Sequence, residues 1–103
     1  MNRSLMTATL GVAALLSTAP AFADLALATS KNCMTCHAVD KKLLGPSYKD
    51  VAAKYKGDKS AADKLASKIL KGGSGVWGQV PMPAMNQVSE AEAKKLVGWI
   101  LSQ

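Results

Sequence analysis

The sequence predicts an all-α fold of about four short helices, and three observations lead there. Two segments carry apolar residues at 3.6 spacing behind recognisable caps, no run alternates strictly for strand length, and β-branched residues are sparse. The length of 103 residues allows one small domain. With a single histidine, His37, the chain also excludes sites that need several, such as a three-His zinc centre.

Residues 1–23 read as a cleaved secretory signal peptide. Arg3 supplies the positive n-region, Leu5 to Leu16 is apolar apart from Thr7, Thr9 and Gly11, and Ala21-Phe22-Ala23 is an A-x-A-type cleavage site before Asp24. The 19 residues from Leu5 to Ala23 approach spanning length, but Pro20 and the small-residue exit favour cleavage over an anchor. Export to the periplasm places both cysteines in an oxidising compartment. The mature domain is then 24–103, in which 36 of 80 residues are apolar and 11 of those are alanine. A domain this small is marginal without a disulfide, a metal or another staple.

Along that domain, Asp24 to Cys36 reads as a first helix, with Leu25, Leu27 and Ala28 facing the rest of the chain. A shorter helix covers Ser47 to Lys54, and Gly57-Asp58 turns the chain after it. The third runs from about Ser60 to Lys71. Ser60-Ala61-Ala62-Asp63 is its cap, Ala62, Leu65, Ala66, Ile69 and Leu70 its stripe, and Gly72-Gly73 its stop. The last begins with the capping box Ser89-Glu90-Ala91-Glu92 and continues through Ala93, Leu96, Val97, Ile100 and Leu101. Two connections, 40–46 and 72–88, hold most of the glycine and all the prolines of the mature domain. Loops as long as the second are usually functional.

Cys33-Met34-Thr35-Cys36-His37 is the decisive motif. Two thiols three positions apart can each add to one vinyl group of a haem, and the adjacent imidazole then lies beneath the macrocycle as an axial ligand. A thioredoxin-like pair belongs near a βαβ pattern, which is missing here. A zinc site lacks a fourth ligand of the Cys/His kind. A short-loop disulfide leaves the histidine unexplained. The second axial ligand must be something other than histidine, and a thioether is the usual partner. Met34 lies between the attachment cysteines and cannot reach the far face. Met82, in Val80-Pro81-Met82-Pro83, is stiffened by a proline on each side. Met85 is the alternative.

These stretches resemble short bacterial class I cytochromes c of the c-551 type. The resemblance rests on Cys33-Met34-Thr35-Cys36-His37, Leu44-Gly45-Pro46-Ser47-Tyr48-Lys49-Asp50-Val51-Ala52, Gly75-Val76-Trp77-Gly78, Pro81-Met82-Pro83 and the terminal Val97-Gly98-Trp99-Ile100-Leu101-Ser102-Gln103, in order across nearly the whole mature domain. It implies helices wrapped around one haem c, held covalently through thioethers to Cys33 and Cys36, with His37 and Met82 on the iron. It further implies that the Pro46 carbonyl accepts from the His37 ring and that the Trp77 indole N–H meets a haem propionate. A core aromatic is the competing role for Trp77. Against the family pattern, Lys31-Asn32 stand where glycine often precedes the first cysteine. Ala84-Met85-Asn86-Gln87 is about one residue longer, which leaves open whether Asn86 or Gln87 bonds the methionine sulfur.

Mature charge is twelve lysines and no arginine against seven acids. Phosphate recognition favours arginine interleaved with aromatics, so nucleic acid is excluded as a partner. The lysines suit redox proteins with acidic docking surfaces, met transiently by a monomer. The expected function is a periplasmic monohaem electron carrier between a respiratory quinol-oxidising complex and a terminal oxidase or reductase, and not an enzyme. The alternatives are a dedicated electron-transfer subunit of a larger oxidoreductase, and a peroxidase or gas sensor with a displaceable methionine. The last lacks a distal acid–base group, because 72–88 contains neither Asp nor Glu. Leu43, Leu44, Val76 and Val80 form the expected exposed apolar patch.

Overall fold

A computed structural model describes residues 20–103, with side chains from Asp24 onward. The expected signal peptide therefore lies outside the described residues, except for the backbone of 20–23. Helix α1 spans Pro20–Ser30. The continuous first helix expected as far as Cys36 is not formed; the chain leaves the helix at Asn32. Thr29 and Ser30 turn their hydroxyls back onto the Leu25 and Leu27 carbonyls at 2.8 and 2.9 Å. Asn32 then adopts φ 66°, a left-handed conformation that asparagine tolerates better than most residues. A single 3₁₀ turn, Cys33–Thr35, follows.

Helix α2 is Tyr48–Lys54, capped by Ser47, whose hydroxyl accepts from the Asp50 N–H at 3.1 Å. Helix α3 is Ala61–Lys71, but Ser60 does not cap it with its side chain. Its hydroxyl and its backbone N–H both donate to Asp58 Oδ1, at 2.7 and 2.8 Å. A charged carboxylate is the stronger acceptor and claims the hydroxyl as a donor. Those two bonds, and then Lys64, hold the Asp58 carboxyl below its ordinary range.

Helix α4, Glu90–Leu101, starts with both halves of the expected capping box. Glu92 N–H donates to Ser89 Oγ at 3.1 Å, and Ser89 N–H donates to Glu92 Oε1 at 2.9 Å. Caps of this kind stabilise a helix by about 1 kcal/mol. The Ser89 N–H bond, followed by Lys31, keeps the Glu92 carboxyl below its ordinary range.

Helix α4 is the element that α1, α2 and α3 all pack against. Its Leu96 and Val97 are the largest fully buried side chains, and they meet Ala28 from α1, Tyr48 and Val51 from α2, and Ala66 and Ile69 from α3. Leu27 packs against this core, whereas Leu25, also expected to face inward, is 37% exposed. Among the described residues there is no strand. An isolated antiparallel bridge between Gly73 and Met82 pins the long loop to the end of α3. The result is a framework whose two loops, 40–46 and 72–88, converge on one cavity.

Candidate functional site

That cavity measures about 420 Å³, within the range of sites that hold small molecules and cofactors. All six residues singled out from the sequence line it: Cys33, Cys36, His37, Pro46, Trp77 and Met82. The helices close it with apolar side chains, among them Val51, Leu65, Ile69 and Ile100. Lys42 and Lys68 also reach it, and no carboxylate lines it among the described residues.

Cys33 and Cys36 are free thiols in the 3₁₀ turn and just after it, the first buried and the second half-buried. Burial pushes the Cys33 thiol up, outweighing a hydrogen bond from Tyr48 that acts the other way. A thiol–disulfide catalyst needs the opposite shift, toward thiolate.

His37 is held by its neighbours in space. Its Nδ1 lies 2.9 Å from the Pro46 carbonyl oxygen. An imidazole that donates there presents Nε2 as its free lone pair, the tautomer a metal ligand requires. The Tyr48 ring stacks on the imidazole, with centroids 4.9 Å apart and planes 19° from parallel, and Trp99 meets Tyr48 edge-on at 5.4 Å. Burial raises the Tyr48 hydroxyl well above its ordinary range, so it stays neutral.

Met82 is positioned by backbone. Gly73 N–H donates to Met82 O at 3.0 Å, Met82 N–H returns to Gly73 O at 2.8 Å, and Met85 N–H reaches Ile69 O at 2.9 Å. Gly72 makes this close approach possible. Its φ of 77° and ψ of −174° belong to a region only glycine occupies freely. A Cβ there would lie 2.6 Å from Met82 O and 2.8 Å from Ala84 N. Gly72→Ala should destabilise the protein by on the order of 2–4 kcal/mol, combining backbone strain with a clash against main chain that cannot rotate away. Thermal unfolding of the purified protein checks this; an unchanged midpoint would show that the loop docks some other way.

Downstream, Gln87 Nε2 donates to Lys31 O at 2.9 Å and approaches the Met85 sulfur at 3.4 Å, while Lys31 Nζ donates to Gln87 O at 2.9 Å. Gln87 thus reaches the sulfur of Met85, not that of Met82. Trp77 is no core aromatic: it is 43% exposed on the cavity margin, with Lys54 Nζ 5.5 Å from its ring centroid. Trp99, 7% exposed, takes the core position instead. The expected apolar patch is exposed, with Leu44 at 65% and Val80 at 64%.

These residues fit a haem. The cavity is apolar, it gathers two thiols, an imidazole oriented through Nδ1 and a thioether, and its two lysines suit carboxylate substituents. Reading the sequence took Gly72 only as a helix stop and underrated Tyr48 and Gly45. A Cβ on Gly45 would stand 2.5 Å from His37 Cε1. The signal for Gly45 and Tyr48 was their place beside Pro46, but their contact with His37 depends on the fold.

Comparison with known proteins agrees with this geometry. The cytochrome c family profile matches residues 25–103. Cytochrome c-552 of Hydrogenobacter thermophilus is 53% identical over 102 residues, covering 99% of this chain and 98% of that protein. The crystal structure of wild-type Nitrosomonas europaea cytochrome c552 superposes with a TM-score of 0.74 at 52% identity, over 76% of this chain and 96% of that one. A class 1 cytochrome from Sideroxydans lithotrophicus matches with a TM-score of 0.64 at 38% identity, over 79% and 92% of the two chains.

Proposed function

The chain belongs to the cytochrome c family, and from that premise we propose that it is a periplasmic single-haem carrier working between a respiratory quinol-oxidising complex and a terminal oxidase or reductase. Like its relatives it is an electron-transfer protein rather than an enzyme, with one covalently attached haem c per chain. The haem supplies a one-electron change between ferric and ferrous iron.

The chain's own residues do the rest. Cys33 and Cys36 would tether the group through thioethers, and His37 and Met82 would hold its iron. Pro46 accepts the His37 Nδ1 proton and so keeps Nε2 directed at the metal. The Trp77 indole N–H meets a propionate. Mature protein is residues 24–103 after removal of 1–23 in export. It works as a monomer, and its lysines steer it to acidic faces of redox partners. The exposed Leu43, Leu44, Val76 and Val80 all line the cavity, so contact there would lie next to the haem.

One observation carries the reading: thiols, oriented imidazole and thioether line one apolar cavity that no carboxylate enters among the described residues. With His37 and Met82 both holding the iron, no site would be open to substrate or gas. The test is the visible spectrum of the ferrous protein with and without carbon monoxide. An unchanged low-spin spectrum is expected; a carbon monoxide adduct at neutral pH would mean an open position and a different function.

A further inference from the structure

We propose that Tyr48 and Gly45 are positioning residues for His37, together fixing the plane of its imidazole and thereby the electronic state of the iron it holds. The inference rests on the reading of His37 as axial ligand. The Pro46 hydrogen bond restrains the ring at a single atom, Nδ1, so rotation about the His37 Cα–Cβ and Cβ–Cγ bonds is opposed by one contact on one edge. Two further contacts add to it. The Tyr48 ring lies against the imidazole face at 4.9 Å and 19°. At Gly45 the backbone comes so near that a Cβ would stand 2.5 Å from Cε1, 2.8 Å from Nδ1 and 3.0 Å from Nε2. Because the nitrogen distances, 2.8 and 3.0 Å, exceed the 2.5 Å to Cε1 so little, that Cβ stands above the ring face at Cε1; a position in the ring plane beyond Cε1 would lie much farther from both nitrogens. A side chain of any size therefore requires the imidazole to turn.

The clamp is itself rigid. Segment 45–48 is tied to both flanks of His37, by Gly45 N–H to Cys36 O at 2.7 Å and by Tyr48 N–H to Ala38 O at 2.9 Å. Tyr48 is 3% exposed and braced by the edge contact with Trp99. The imidazole and its clamp thus move as one body. Because the stacking face, not the hydroxyl, makes the contact, phenylalanine should replace tyrosine and an aliphatic residue should not.

The test compares purified holoproteins of wild type, Tyr48→Phe and Tyr48→Leu. Midpoint potential and the paramagnetic NMR shifts of the haem methyl groups are the readouts, since those shifts report the orientation of the axial ligand planes. Tyr48→Leu is expected to redistribute the methyl shifts and lower the potential, as water gains access to the imidazole. Tyr48→Phe should match wild type in both. If Tyr48→Leu lowers only the melting temperature, or if Tyr48→Phe changes the readouts as much as Tyr48→Leu, the proposal is wrong. Gly45→Ala tests it independently should Tyr48→Leu not fold: redistributed methyl shifts are expected, and unchanged shifts overturn it. Failure of the underlying reading is distinguishable, because His37→Gly would then keep the wild-type low-spin spectrum.

Discussion

Replacing both attachment cysteines, as Cys33→Ala with Cys36→Ala, is expected to give a chain without covalently bound haem that is largely unfolded at 25 °C. The argument is one of magnitude. The cavity occupies about 420 Å³, and its walls include Val51 from α2, Leu65 and Ile69 from α3 and Ile100 from α4. Holding apolar volume open costs about 24 cal/mol per Å³ in engineered cavities, which gives an upper bound on the order of 10 kcal/mol. Domains are stable by only about 5–15 kcal/mol in total. A chain this small and alanine-rich sits at the low end of that range, so it cannot keep the cavity empty and must collapse or unfold. Circular dichroism of the double variant measures the helix content directly. A native-like helical signal without haem would show that α1 to α4 make a sufficient core by themselves.

Local features with a single available partner could be read from residue order, whereas those with competing local partners and those decided by distant contacts could not. The Ser89–Glu92 capping box is a four-residue event, and both of its hydrogen bonds form. Ser60 carries a similar local signature, yet Asp58 lies two residues upstream and captures its hydroxyl. The break falls at Asn32, whose left-handed φ of 66° ends a run that helical periodicity alone would continue. In the site, the Cys-x-x-Cys-His spacing and the Pro-Met-Pro stretch were visible because the chemistry demands those residue types. Gly72 was visible only as a helix stop. Its closer role, admitting the Met82 backbone within a Cβ's reach, exists because α3 and the 72–88 loop meet. Tyr48 likewise looked like a helix residue after Pro46 until its ring was seen against His37.

Met82→Ala is expected to have the largest effect on the redox chemistry, and Met85→Ala to have little. Both thioethers line the cavity, so position alone does not choose between them. Their fastening does. Both main chains are tied at N–H and C=O, Met82 to Gly73 and Met85 to Ile69 and Val88, but only Met82 sits between two prolines that stiffen the backbone. The Met85 sulfur is instead approached by Gln87 Nε2, itself held by Lys31 O, which draws Met85 toward the end of α1. Removing the Met82 thioether would take away the proposed ligand, one that favours ferrous iron, and axial ligands set haem potentials across about 0.8 V. A drop on the order of 100 mV is therefore expected, with loss of the methionine-to-iron charge-transfer band of the oxidised protein and new binding of carbon monoxide when reduced. Met85→Ala should keep the band and the potential. The converse pattern, with the band surviving Met82→Ala and vanishing in Met85→Ala, would transfer the axial role to Met85. It would also mean that the 72–88 loop rearranges when the haem is attached, releasing the Gln87 contact that now occupies that sulfur.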